Sequence, residues 1–298
     1  MPNWNEVLNE ISQDASEGPA DRIRRKYLKE LYNYTERNTI AYYSGWMQSG
    51  AKYGIDINDM DMNGLMSAIC GLDCSKGLDL ILHTPGGSIS AAEQIVTYLK
   101  SKFNNNIRAI IPQIAMSAGT MIACSCNCII MGNQSCLGPI DPQLGGISAK
   151  RVLSEFEQAK SEIKNDPSCI PIWQTIIGKY HPTFVQSCEL ACDRANMLVS
   201  TWLSTNMFNY DTDKQDKAKR IVDKFIEIGS EFDHDKHICL KEAIDLGLNI
   251  KKLEEDQELQ DLVLTVHHAF MHTFAQGNIV KAIENHNGIA MFNFANSN

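Results

Sequence analysis

The sequence predicts an α/β fold with a mostly parallel sheet, and two observations support this. Between residues 78 and 131, short apolar runs of strand length alternate with segments that have helical periodicity. The apolar runs are nearly continuous, as is typical of parallel strands that helices cover on both faces. A strand–helix–strand order therefore implies right-handed crossovers within one sheet.

The N-terminal third predicts a helical segment followed by a strand. Residues 5–36 have apolar side chains at helical spacing, and a basic cluster lies at residues 22–26. This segment is a candidate arm that packs on the core or on another subunit. The alternative is that its arginines form a solvated, charged face. Residues 39–46 are rich in β-branched and aromatic types and predict a strand, and residues 58–70 contain a short helix.

The central stretch gives the clearest pattern. Leu78–His83 predicts a buried strand, and Ser90–Phe103 a helix that begins with the Ser90 and Glu93 spacing of a capping box. Ile107–Pro112 predicts the next strand. Residues 117–125 are small and apolar, as expected of a buried helix, and Cys128–Met131 predicts a third strand.

The remainder of the chain is mainly helical in pattern from about Ile147 onward. A short helix over residues 241–248 ends near Gly247, and a longer helix spans residues 257–274. We expect residues 284–298 to be a loose tail. The predicted organisation is a helical arm (1–36), a catalytic domain (37–255) and a helical C-terminal extension with its tail (256–298).

Composition narrows the class of protein. A net charge of −9 argues against nucleic acid or an anionic membrane as the main partner. No apolar run approaches the roughly 20 residues that span a bilayer, and the first residues do not resemble a secretory signal. We therefore expect a cytoplasmic protein whose ten cysteines are reduced. The Cys124, Cys126 and Cys128 spacing does not match a zinc site, and we expect neither a metal nor a cofactor.

A Pro-Gly-Gly turn follows the first central strand. Glycines after a buried strand let the backbone approach a ligand closely, so the amides of Gly86 and Gly87 are candidate oxyanion donors. The alternative is a strand-to-helix turn without a chemical role.

Ser117 follows the second central strand and begins a helix, with alanine, methionine and glycine around it. This arrangement is similar to a nucleophile elbow, in which the next amide, that of Ala118, is a second oxyanion donor. The alternative is a helix-capping serine. Because both motifs follow parallel strands, they are expected to face one crevice at the carboxyl edge of the sheet.

The base that a serine nucleophile requires is less evident. None of the eight histidines stands in a catalytic phrase; His83 lies beside the glycine turn, as a hydrogen-bonding or orienting residue. The other candidate is a lysine with a pKa lowered by burial. Lys150 is the first lysine after Ser117, and Lys160 and Lys164 follow on the same predicted helix.

Three motifs in this order resemble the serine dehydrogenase proteinase family, which is related to signal peptide peptidase A and the Clp peptidase subunit in the Clp/crotonase superfamily. They are His83-Thr84-Pro85-Gly86-Gly87, Ala115-Met116-Ser117-Ala118-Gly119-Thr120 and Leu137-Gly138-Pro139-Ile140-Asp141-Pro142-Gln143. The resemblance covers roughly residues 37–268. It implies a spiral of ββα units, a homo-oligomer, and a polypeptide substrate attacked by Ser117 with Gly86, Gly87 and Ala118 as oxyanion donors.

The resemblance also leaves the base open. Clp peptidases carry their histidine in a His-Gln-Pro phrase, where this chain has Asp141-Pro142-Gln143. Asp141 cannot replace that histidine as a base but can orient another group. Signal peptide peptidase A enzymes use a serine–lysine dyad, which favours Lys150 or Lys160, and a neighbouring subunit is another source of the base.

Three hypotheses follow for the function. The first is a serine peptidase of the serine–lysine type. The second is a crotonase-like acyl-CoA enzyme, which shares the backbone oxyanion hole but uses carboxylates in place of a nucleophilic serine. The third is a catalytically silent scaffold of the same fold.

Overall fold

The structure is a computed structural model that describes residues 4–50, 53–231 and 236–295, with the backbone alone at residues 49, 230 and 231. Its strands are β1 (Asn38–Ser44), β2 (Leu78–His83), β3 (Ile107–Ile111), β4 (Ile114–Ala115), β5 (Cys128–Met131), β6 (Cys136–Leu137), β7 (Gln143–Leu144), β8 (Ile147–Ser148), β9 (Ile238–Cys239), β10 (Ile250–Lys252), β11 (Ile279–Asn285) and β12 (Ala290–Phe294).

The helices are α1 (Trp4–Gln13), α2 (Pro19–Thr35), α3 (Trp46–Ser49), α4 (Asp61–Ile69), α5 (Ile89–Phe103), α6 (Ala118–Cys124), α7 (Ala149–Asn165), α8 (Ile170–Ile177), α9 (Phe184–Trp202), α10 (Lys214–Glu231), α11 (Leu240–Leu246) and α12 (Gln257–Gln276). A mixed α/β fold is thus confirmed, and every central strand and helix lies within a residue or two of its predicted position.

The central sheet has seven strands in the order β10-β5-β3-β2-β1-β11-β12. The strands from β10 to β1 run parallel, whereas β11 is antiparallel to β1 and β12 is antiparallel to β11. A small sheet, β4-β6-β9, and a hairpin, β7-β8, lie beyond the carboxyl edge. The residue that follows β2 also bridges to the end of β4, because Thr84 pairs with Ala115.

Alternation along the strands separates two apolar layers. Leu80 and Leu82 of β2 belong to the larger core, which packs against α5, α6, α9, α10 and α11. Ile81, between them, belongs to the second core, formed with α2 and α12. The sheet therefore lies between two helical layers, as successive side chains on a strand point to opposite faces.

Buried ion pairs connect the terminal elements to the sheet. Arg24 on α2 is fully buried and forms an ion pair with Glu284 on β11. Lys281 on β11 pairs with Asp61 on α4 at 2.8 Å. Arg24 in the basic cluster therefore packs on the core and is not part of a solvated face.

The expected helical character of the N-terminal segment is confirmed, and the segment is divided into two helices because Gly18 adopts a left-handed conformation (φ 70°) and Pro19 begins α2. The expectation for the end of the chain was wrong. The expected loose tail instead completes β11 and supplies β12 within residues 284–295, and residues 296–298 lie outside the described part. Pairing with β1 stabilises this hairpin, and such a long-range contact leaves no local signal in sequence.

Candidate active site

Ser117 lies in a strained turn between β4 and α6. Its backbone angles are φ 48° and ψ −115°, which are uncommon for a residue with a side chain. The amide of Gly119 donates to the carbonyl of Met116 at 2.7 Å and so tightens the turn. Ser117 is partly exposed, as the serine of a nucleophile elbow would be.

Gly86 lies directly against this turn. A Cβ atom at Gly86 would lie 2.8 Å from the Ser117 Cβ, and the backbone has φ +101°, so only glycine fits. The Gly86 amide is buried and donates to the hydroxyl of Thr84 at 3.1 Å. This amide is therefore already satisfied by the protein, and Gly86 shapes the site.

Gly87 differs from Gly86 in its exposure and in the hydrogen bonding of its amide. It is exposed at the cavity and has φ +149°, and a Cβ there would lie 2.4 Å from backbone atoms of Ile57. Within the described residues its amide donates no hydrogen bond, and neither does that of Ala118, the first residue of α6. The first amides of a helix have no intrahelical acceptor, which explains the unused Ala118 amide. Gly87 is exposed, whereas Ala118 is fully buried directly after Ser117.

Ser117 and Gly87 open onto one cavity of about 490 Å³. Its described lining residues are Asp56, Pro85, Gly87, Ser88, Ile89, Ser90, Ser117, Pro142, Gln143, Leu144, Ala191 and Arg194. Asp56 and Arg194 are the charged members of this set. Arg194 is held by Ser90 at 3.1 Å and by Glu93 at 2.5 Å, which fixes its guanidinium at the cavity wall.

Lys150 and Asp141 line a second cavity, of about 290 Å³, and are absent from the described lining of the first. Pro142 lines both cavities. Lys150 is the second residue of α7 and is partly exposed, whereas Asp141 is buried beside Gly229 of α10. The predicted base, Lys150, and the predicted orienting carboxylate, Asp141, therefore line the same cavity. That cavity adjoins the cavity of Ser117.

Lys160 faces solvent and does not line either cavity. It forms an ion pair with Glu157 at 2.6 Å, and this hydrogen bond raises its pKa. A lysine that acts as a general base needs a lowered pKa.

His83 lies on the other face of the sheet from Ser117. It is fully buried against Trp46, with ring centroids 4.6 Å apart, and lies 5.1 Å from the ring of His267. Burial lowers the pKa of His83 to about 3, so its ring is neutral. Neither ring nitrogen has a hydrogen-bond partner among the described residues, in contrast to the expected hydrogen-bonding role.

No described histidine lines the cavity of Ser117 or that of Lys150, and His234 lies outside the described residues.

The cysteines are all free thiols. Cys124 and Cys126 are buried, and burial raises the pKa of Cys126 to about 12. In the described ranges no three metal-ligating side chains converge on one point, and no helix is long and apolar enough to cross a bilayer.

Sequence reasoning missed three residues that shape the site. Thr84 accepts the Gly86 amide, Ile57 packs against Gly87, and Thr120 donates to the Ala115 carbonyl at 2.8 Å while it accepts the Gly138 amide at 2.9 Å. Thr84 and Thr120 stand inside two of the three sequence motifs that identify the site, so their hydroxyls offered a signal. Ile57 lies thirty residues before Gly87 and offered none.

Comparison with known proteins places this geometry in context. A family model described as ClpP-like SDH-type serine proteinase matches residues 49–273. An uncharacterized protein of Methanocaldococcus jannaschii, MJ0137, is 32% identical over 233 residues, which cover 76% of this chain and 73% of that protein. A second uncharacterized protein of the same organism, MJ1495, is 38% identical over 89 residues, which cover 30% of each chain.

Proposed function

Because this chain belongs to the ClpP-like SDH-type serine proteinases, we propose that it hydrolyses peptide bonds with Ser117 as the nucleophile. One observation carries the proposal: a serine in a strained elbow and a glycine amide with no acceptor among the described residues open onto the same cavity. The elbow would present the hydroxyl to a substrate in the cavity, and the Gly87 amide would stabilise the carbonyl oxygen that becomes negative.

The reaction follows from these positions. The Ser117 oxygen attacks the carbonyl carbon of the scissile peptide bond and gives up its proton to a base. The amides of Gly87 and Ala118 stabilise the tetrahedral oxyanion, a contribution of about 3 kcal/mol per donor in other hydrolases. Collapse of this intermediate expels the protonated amine and leaves an acyl group on Ser117, which water then removes.

Lys150 is our proposed base. It is the single lysine among the described residues that line either cavity. A neutral amine at this position would take the serine proton and later return it to the leaving amine. Pro142 lines both cavities, so the lysine lies in the cavity next to that of the Ser117 hydroxyl.

An extended polypeptide suits the open side of the glycine turn. The backbone of Gly86 and Ser88 is occupied by Ile57 on one side, so the amide and carbonyl of Gly87 face the cavity. An extended chain can pair with this edge through its own backbone, independently of its side chains. Unfolded or flexible polypeptides are therefore the proposed substrates.

Cleavage of an unfolded polypeptide tests the function. We expect the purified protein to fragment casein, the Ser117→Ala variant to lose this activity, and Ser101→Ala, on the exposed face of α5, to retain it. Equal fragmentation by the wild type and Ser117→Ala would assign any cleavage to another protein. A wild type that leaves casein and flexible peptides intact would favour the scaffold hypothesis.

A further inference from the structure

Two cysteines face each other in the small sheet that supports the Ser117 turn. Strand β6 runs antiparallel to β9, and Cys136 lies directly opposite Cys239. Among the described strand pairs, this is the one position where two cysteines are cross-strand partners.

The backbone hydrogen bonds identify the type of pair. The Cys136 amide donates to Gln113 at 2.7 Å, on the side away from β9, and the Cys239 amide donates to the Glu242 carboxylate at 2.8 Å. Because the amide and carbonyl of one strand residue point to the same side, Cys136 directs neither group toward β9. The two cysteines thus form a non-hydrogen-bonded pair, in which Cα atoms lie about 4.5 Å apart. Disulfides span Cα distances of roughly 4.4–6.8 Å.

Both thiols can meet a small reagent, since each is partly exposed. Burial and the adjacent Cys239 thiol both raise the pKa of Cys136. Cys124 and Cys126, in contrast, are buried at the end of α6.

We propose that Cys136 and Cys239 are a redox modification site that closes to a disulfide with a small-molecule disulfide as oxidant. One thiolate attacks the oxidant, forms a mixed disulfide and releases one small thiol. The second cysteine attacks the protein sulfur of that intermediate and releases the second small thiol. The two cysteines lose two electrons and two protons, and the oxidant is reduced to two thiols.

The bond would join segments that are distant in sequence. Strand β6 also pairs with β4, where Leu137 lies opposite Ala115, two residues before Ser117. Strand β9 leads directly into α11. Oxidation would therefore fix α11 to the strand that supports the Ser117 turn, whether or not the protein hydrolyses peptides. A cross-link that closes so long a loop also stabilises the fold.

Peptide mapping of the native wild-type protein tests the site. The protein is treated with oxidised glutathione, alkylated with N-ethylmaleimide and digested without reductant. We expect a Cys136–Cys239 linked peptide as the first intramolecular disulfide, and its loss after dithiothreitol. The proposal is overturned if both cysteines carry N-ethylmaleimide or separate glutathione adducts under conditions that fully modify the exposed Cys70.

A matched pair of variants supplies the second readout. Oxidised wild type is expected to melt several degrees above the reduced protein, and Cys70→Ser should keep this difference. Cys136→Ser should abolish it. A redox-dependent shift that persists in Cys136→Ser would assign the effect to other thiols. Should that variant fail to fold, Cys239→Ser and the wild-type peptide map decide.

Discussion

Ile57 pairs with Gly87 through a single parallel bridge, with its amide donating to the Gly86 carbonyl at 2.7 Å and its carbonyl accepting the Ser88 amide at 2.9 Å. Because backbone groups alternate in direction along an extended chain, this pairing turns the amide and carbonyl of Gly87 to the other side. The segment before α4 thus aims the proposed oxyanion donor at the cavity of Ser117.

Replacement of Gly87 should disable the site. In Gly87→Ala the new Cβ would lie 2.4 Å from the Ile57 backbone, so the turn must move and its amide must lose its direction. We expect reaction of Ser117 with a fluorophosphonate to slow about 100-fold, the usual effect of one lost donor. Gly71→Ala is the control, because that glycine has φ +78° and open space around it. Equal rates in the two variants would argue against an oxyanion role.

The Thr84 hydroxyl should contribute to the stability of the fold. Thr84→Val keeps the shape of the side chain but leaves the buried Gly86 amide without its acceptor. We expect the free energy of unfolding, measured with urea, to fall by about 1–3 kcal/mol. Thr97→Val removes an exposed hydroxyl on α5 and should change it by less than about 0.5 kcal/mol.

The backbone strain at Ser117 predicts that a residue which tolerates positive φ stabilises the fold at this position, although it removes the nucleophile. Glycine adopts positive φ without penalty, so Ser117→Gly should be about 1 kcal/mol more stable than Ser117→Ala in urea unfolding. Neither variant should react with a fluorophosphonate. If alanine proved the more stable of the two, the turn would not be strained in solution.

The assignment of the base can be tested with isosteric changes. Lys150→Met keeps the aliphatic chain but removes the amine, and we expect the rate of peptide hydrolysis to fall by about 10² to 10⁴. Lys160→Met, at an exposed ion pair, should retain the wild-type rate. A wild-type rate in Lys150→Met would exclude this lysine and direct the search to a neighbouring subunit.

Acid should destabilise the fold through its buried histidines. The pKa values of His83, at about 3, and of His267 are lowered by burial, so the unfolded chain binds more protons below its histidine pKa of about 6.5. The contribution of these two histidines to the free energy of unfolding should therefore be constant above about pH 7. Below that it should fall, by up to about 1.4 kcal/mol per pH unit for each histidine.

A substitution at His83 checks the assignment of this acid effect. His83→Phe keeps a ring against Trp46 and cannot titrate, so the slope between about pH 4 and 6 should decrease. His181→Phe, at an exposed position, should leave the slope unchanged. An unaltered slope in His83→Phe would assign the acid sensitivity to other groups.

The strands and the meeting of the two motifs could be predicted because local signals determine them. Leu78–His83 is a strand by composition, and the carboxyl ends of parallel neighbours meet at one edge of the sheet. The face of His83 was also predictable, since it shares strand parity with Ile81 in the second apolar layer. That inference was missed because nearness in sequence to Gly86 suggested nearness to the site.

Other features depend on contacts that a single sequence does not reveal. The position of Lys150 depends on how α7 packs against α9 and α10. The orientation of the Gly87 backbone depends on its bridge to Ile57. Strands β11 and β12 form because β11 pairs with the edge of β1. Their polar residues gave no strand pattern in the sequence. Long-range pairing of this kind overrides local propensity.

The most direct test is the site of covalent modification by a fluorophosphonate. The native protein is incubated with the reagent, digested and mapped by mass spectrometry, beside Ser117→Ala and Ser101→Ala. We predict one adduct per chain, on Ser117, that is retained in Ser101→Ala and absent from Ser117→Ala. An unmodified Ser117, under conditions that label a known serine peptidase completely, would contradict the assignment of this residue as a nucleophile.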